Sequence, residues 1–83
     1  MRILYFAWLR ERIGCAEEDI APPPGIATVS ALTNWLATLS PAHANAFADR
    51  RTIRIALDQR FVTGDAALGA AREIAYFPPF TGG

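Results

Sequence analysis

In the stretch Glu73-Ile74-Ala75-Tyr76-Phe77-Pro78-Pro79-Phe80-Thr81-Gly82-Gly83, a strand and its termination lie side by side. Residues 73–77 have strand composition and predict the last strand of a sheet. Pro78 and Pro79 then remove two backbone N–H donors, so the ladder cannot continue and the chain must leave the sheet. Adjacent prolines favour a stiff polyproline II path, and residues 78–83 extended to the full reach about 20 Å. Gly82 and Gly83 have no side chains, so the tip fits a slot too narrow for any other residue, and its only chemical group is the α-carboxylate. A merely frayed terminus has no need of the apolar Phe77-Pro78-Pro79-Phe80 lead-in. The expected organisation is a folded domain over 1–77 and an extended tail over 78–83.

The chain has 83 residues, enough for one domain that buries roughly 60–65% of its unfolded surface but not for a large internal cleft. Apolar residues make up 52% and charged ones 19%, with a formal net charge of zero. That balance argues against nucleic acid or an anionic membrane as partner. All 8 basic residues are Arg, which leaves the N-terminal amine as the one site for self-acylation. Cys15 is the sole cysteine, so no intramolecular disulfide forms and a structural zinc site is not expected. The acidic run Glu17-Glu18-Asp19 is also a poor setting for a reactive thiol. These features fit a cytoplasmic protein. The apolar start Met1–Leu9 lacks a signal-peptide cleavage region and is too short to span a bilayer. His43 has no second His or nearby Cys, so it is expected at the surface, with no metal and no bound cofactor.

Elsewhere, both alternating sets of Ile3–Trp8 are apolar, which predicts a central strand covered on its two faces. Leu9–Gly14 reads as a helical turn closed by Gly14. A short second strand is expected over Glu18–Ala21, cut off by the rigid turn Pro22-Pro23-Pro24-Gly25. Thr28 is the expected N-cap of the main helix, whose stripe is Val29, Leu32, Leu36 and Leu39, with Ser40-Pro41 ending it. Ala42–Asp49 predicts a further short helix anchored by Phe47. Ile53, Ile55 and Leu57 alternate inward, and Asp58-Gln59 turns the chain into Arg60-Phe61-Val62 as a hairpin. Strand parity then places Leu4, Phe6, Phe61, Ala75 and Phe77, with Arg54 and Ala56, on the opposite, open face. Exposed apolar patches of that kind mark contact surfaces.

There is no nucleophile elbow, Cys/His pair, H-x-x-H or phosphate loop. Any chemistry therefore resides at the terminus. The start Ile3-Leu4-Tyr5-Phe6-Ala7-Trp8-Leu9-Arg10-Glu11, the hairpin 55–62 and the strand-Pro-Pro-x-x-Gly-Gly ending resemble the small, sulfur-carrier subunits of molybdopterin synthase. The resemblance spans the whole chain. It implies an α+β fold of the ubiquitin-like β-grasp type, a mixed sheet of about five strands curled around one main helix. Two positions depart from that family, Asp58 where Asn is usual and Ala70-Ala71-Arg72 where an Asp-Gly-Asp turn is usual.

By this resemblance, an adenylating enzyme related to ubiquitin-activating enzymes uses ATP to activate the Gly83 carboxylate. A sulfur donor, such as a cysteine desulfurase or a rhodanese-type protein, then leaves a thiocarboxylate. The large subunit, in a heterotetramer of two small and two large chains, receives the tail and passes the sulfur to cyclic pyranopterin monophosphate. The catalytic residues belong to the large subunit, so the isolated chain is not an enzyme. Phe80, Thr81 and Gly82 thread the tail, Phe6, Phe61 and Phe77 dock on the partner, and Arg10 lies at the edge of that contact. The competing readings are a sulfur carrier of thiamine synthesis, a ubiquitin-like modifier of lysines, and a β-grasp binding module whose tail is never activated.

Overall fold

The structure, a computed structural model, describes residues 1–79. Five strands form one mixed sheet: β1 (Arg2–Tyr5), β2 (Glu17–Asp19), β3 (Arg54–Leu57), β4 (Arg60–Val62) and β5 (Glu73–Phe77). Their spatial order is β2-β1-β5-β3-β4. The central pair β1 and β5 is parallel, and every other pair is antiparallel. Helices α1 (Trp8–Ile13), α2 (Val29–Leu36) and α3 (Pro41–Ala46), with a 3-10 turn at Arg50–Thr52, complete the α+β architecture.

The main helix starts where the sequence predicts. Thr28 is extended, and its side chain accepts a hydrogen bond from the Ala31 N–H at 3.1 Å. Val29, Leu32 and Leu36 are fully buried beneath it. From the sheet, Ile3, Tyr5, Ile74 and Tyr76 meet them, and Phe47 closes the core edge-on to Tyr76 at 4.9 Å. Since Ile74 and Tyr76 face the helix, Ala75 and Phe77 lie on the other face of β5, as parity requires.

Several boundaries differ from expectation. The first strand ends at Tyr5 rather than Trp8, because Ala7 adopts φ 54°, ψ −130° and reverses the chain. Leu9 N–H bonds to the Phe6 carbonyl at 3.2 Å across that turn, and Trp8 opens α1 instead of ending β1. Gly14, at φ 97°, closes α1 as predicted. The second strand is Glu17–Asp19, shifted toward the N-terminus of the expected Glu18–Ala21. Helix α2 stops at Leu36, so Leu39 falls off the stripe and is 41% exposed. The cause is Ser40, whose extended backbone caps α3 and forces the chain out of helical geometry before it. The second helix is accordingly Pro41–Ala46, with buried Phe47 at its C-cap. On β3, Ile53 is buried just before the strand, whereas Ile55 and Leu57 are half-buried.

The hairpin turn has Asp58 at φ 48° and Gln59 at φ 70°, the left-handed pair that a two-residue loop requires. Asp58 has a second role. One of its carboxylate oxygens accepts the backbone N–H of Arg72 at 3.0 Å and of Glu73 at 3.1 Å. This clamp holds the segment 70–72 against the hairpin without the expected turn glycine.

Candidate functional site: an aromatic row beside the tail exit

Strand alternation builds the site on the face of the sheet that carries no helix. Leu4 pairs in register with Ala75, Ala75 with Ala56, and Ala56 with Phe61, so four neighbouring strands contribute side chains to one surface. Small alanines at the centre leave room for the rings around them. Phe77 is the middle ring. Phe61 packs on it at 5.6 Å and 66°, and Phe6 at 6.4 Å and 83°, both edge-to-face geometries that aromatic quadrupoles favour. Phe77 is half-buried between its neighbours, whereas Phe6 is 46% and Phe61 79% exposed. The sequence-predicted Phe6, Phe61 and Phe77 are thus brought together in one row.

The tail begins at the middle of this row. Phe77 is the last residue of β5, and the chain runs directly into Pro78 and Pro79. Arg10 is exposed on α1, which starts two residues after Phe6; among the described residues its side chain makes no ion pair. Arg12 of the same helix lies over the Trp8 ring, 4.5 Å from its centroid. The tail residues Phe80, Thr81, Gly82 and Gly83 lie outside the described residues.

A second polar constellation, absent from the sequence reading, ties β2 to α3. His43 is only 7% exposed, not a surface residue. Its Nε2 lies 2.8 Å from Glu18 Oε2, and because a carboxylate only accepts, Nε2 carries the proton of that bond. The Tyr5 hydroxyl donates to the same oxygen at 2.7 Å. Ser40 Oγ lies 2.7 Å from His43 Nδ1 and accepts the His43 backbone N–H at 3.1 Å. Partial burial alone would push the Glu18 carboxyl up, but the bonds from His43 and Tyr5 outweigh it and hold it below the usual carboxylate range. Burial, with Glu18 beside it, pushes the Tyr5 phenol well above its ordinary value. A Ser-His-Glu row suggests a hydrolytic site, but here Ser40 Oγ is a helix cap and the arrangement is a structural pin. The signal was present in Ser40-Pro41, a cap followed by proline at the first helical position.

Cys15 is partly buried, and burial with the nearby Glu18 raises its thiol, opposite to what a nucleophile needs. Among the described residues, no group of three or more His, Cys, Asp or Glu side chains is placed to hold a metal ion. A cleft of about 260 Å³ between α2 and β3–β4, lined in part by Ser30, Thr33 and Arg50, contains no acid–base pair. No helix among the described residues is long and apolar enough to cross a membrane.

Comparison with known proteins agrees with this architecture. The molybdopterin synthase sulfur carrier subunit of Escherichia coli (strain K12) is 35% identical over 83 residues, covering 100% of this chain and 99% of that one. The crystal structure of SAMP1 from Haloferax volcanii superposes with a TM-score of 0.77 at 28% identity, covering 100% of this chain and 98% of that one. Subunit 1 of a molybdopterin converting factor from Pyrococcus furiosus superposes with a TM-score of 0.73 at 28% identity, with 95% of each chain covered. The ThiS family model matches residues 3–83. With one helix-covered and one open sheet face, and relatives that match it end to end, this chain belongs to the ThiS family and has the ubiquitin-like β-grasp fold.

Proposed function

We propose that this chain is the sulfur-carrier subunit of a molybdopterin synthase, with the Gly83 carboxylate as the group that carries sulfur. The observation that carries the reading is the Phe6–Phe77–Phe61 row set at the root of the tail, a docking surface and a delivery arm in one continuous element. A carboxylate is a poor electrophile, because its leaving group would be oxide. Attack of the Gly83 carboxylate on the α-phosphorus of ATP expels pyrophosphate and gives an acyl-adenylate. The terminal sulfur of a persulfide on a cysteine desulfurase or rhodanese-type donor then displaces AMP to give an acyl disulfide. Two-electron reduction of its S–S bond by thiols, which are oxidised to a disulfide, leaves the thiocarboxylate. The ATP is bound by the adenylating enzyme, and this chain supplies the carboxylate and the surface that the enzyme grips.

In the second half of the cycle the aromatic row seats the domain on the large subunit, in an assembly of two small and two large chains. Phe80, Thr81 and Gly82 lead the thiocarboxylate to cyclic pyranopterin monophosphate, where its sulfur forms a C–S bond by displacing an oxygen leaving group from carbon. Water then cleaves the resulting thioester, leaving the sulfur on the pterin and returning Gly83 as the carboxylate. The catalytic groups for that step are the large subunit's. The E. coli relative's name favours this reading over a thiamine-type carrier or a protein modifier, both of which would use the same activated carboxylate.

Incubating the chain with candidate adenylating enzymes, ATP and a sulfur donor, followed by intact mass measurement, tests the reading. The expected product has one oxygen replaced by sulfur and disappears when Gly83 is deleted. A truncated chain that still accepts sulfur would overturn it.

A further inference from the structure

Arg54 stands at the tail end of the open face, and among the described residues no counter-charge pairs with it. The β3–β5 register sets it directly opposite Phe77, and because its neighbour Ile55 pairs with the helix-facing Tyr76, Arg54 projects on the side of the aromatic row. Its residue is exposed, and among the described residues no hydrogen bond or ion pair holds the guanidinium. Three other arginines are held by partners, whereas Arg10, Arg60 and Arg72 have no ion pair among the described residues but do not stand opposite Phe77 in the register. Arg2 bonds Glu73 at 3.0 Å, Arg51 bonds Asp49 at 3.0 Å, and Arg50 donates to the Phe47 carbonyl and to Asn34. The carboxylates that share the open face are remote from Arg54. Glu73 lies four residues back from Phe77 along β5, about 14 Å from Arg54, and on β2, three strands over, Glu17 is about 16 Å away with Asp19 beyond it. Both separations exceed the screening length at physiological salt. Asp65, in the loop after β4, makes no ion pair with it.

Hydrocarbon cannot satisfy this cation. A protein that closes over Phe6, Phe77 and Phe61 also strips water from the residue beside Phe77, and an unpaired buried charge is strongly unfavourable. We propose that Arg54 is a specificity-determining residue of this face, pairing with an Asp or Glu side chain that the docking protein presents next to its pocket for Phe77. The inference rests on the docking role proposed above. A planar guanidinium grips a carboxylate through two parallel N–H bonds, so the pair also fixes the angle at which the tail enters the partner.

The test is calorimetric titration of the full chain and its Arg54→Gln and Arg54→Glu variants against the large subunit, in low and high salt. An exposed strand position with no partner tolerates either change, and circular dichroism checks the fold. The expected result in about 50 mM salt is a loss of about tenfold or more for Arg54→Gln and a larger one for Arg54→Glu, with both losses shrinking in about 500 mM salt. Phe77→Ala, which removes hydrocarbon, loses affinity in both salts. Wild-type affinity for Arg54→Gln in low salt overturns the assignment of Arg54, as does a loss indifferent to salt. A wild-type chain that does not bind the large subunit at all overturns the docking reading itself, and this inference with it.

Discussion

On the helix-covered face of the sheet, Tyr5 and Tyr76 are fully buried and each hydroxyl has a partner, Glu18 for Tyr5 and Thr33 for Tyr76. One residue further along the chain from each, on the open face, stand Phe6, just past the end of β1, and Phe77, the last residue of β5, which carry no polar atom. The Thr33 hydroxyl donates to the Val29 carbonyl at 2.9 Å, so at 2.8 Å from it the Tyr76 hydroxyl is the donor. Rings with a polar handle suit a permanent core, because the handle fixes one packing and must be matched once, during folding. Rings without one suit a surface that is alternately wet and covered, since no hydrogen bond has to be surrendered at each exchange of partners. The two faces therefore differ in what their aromatic residues are bonded to, more than in how apolar they are.

Paired truncations on the two faces give the largest separation. Phe47→Ala, in the core against Tyr76, is expected to cost about 3–5 kcal/mol of folding stability, a large share of what a small domain has. Phe77→Ala is expected to cost less in folding, since one side of its ring is open. Its loss appears in binding to the large subunit, at about 2–4 kcal/mol, or roughly 30- to 1000-fold in affinity. Denaturant unfolding and calorimetric titration of both variants check this. If Phe77→Ala unfolds as readily as Phe47→Ala and binds as wild type, the face assignment is inverted.

The distinction between the faces was legible because strand alternation is strictly of period two. Once Ile74 and Tyr76 are inside, Ala75 and Phe77 cannot be. The left-handed Ala7 was not legible, since an alanine gives no sign of a conformation that ordinarily calls for glycine. Its geometry is imposed by β1 on one side and α1 on the other. Nor was the burial of His43, because its partner Glu18 is 25 positions away and only the packing of α3 against α1, the helix that connects β1 to β2, brings them together. Leu39 misled for a different reason. Its spacing continues the helical stripe, but the cap at Ser40 competes for the same backbone and wins.

The His43–Glu18–Tyr5 pin gives the covered face a dependence on pH that the aromatic row, whose rings carry no titratable group, does not share. Glu18 titrates below its ordinary value in the folded chain, so its contribution is fully present above the unfolded carboxyl value of about 4.3 and is lost as pH falls through the folded one. Stability measured by denaturant unfolding is expected to fall on acidification from about pH 5 to about pH 3, and Glu18→Gln is expected to flatten part of that fall. An identical acid slope in the variant would show that other carboxylates dominate. Affinity of the aromatic row for its partner at pH 7 is expected to be unchanged by Glu18→Gln.

The smallest expected effect concerns the hairpin clamp at the far end of the open face from the tail. Asp58 combines two demands, a positive φ and an oxygen that accepts the N–H groups of Arg72 and Glu73. Asn meets both, since it tolerates the left-handed region and keeps one carbonyl oxygen of the same reach. Ala meets neither: it is strained at that φ and leaves two partly exposed N–H groups to water. Asp58→Ala is therefore expected to cost about 1–3 kcal/mol of stability, and Asp58→Asn less than about 0.5 kcal/mol. Thermal unfolding of the two variants side by side measures the difference. Equal losses would mean that the charge of Asp58, rather than its geometry, holds residues 70–72 in place. A near-neutral Asn would mean that this clamp substitutes for a turn glycine at Ala71.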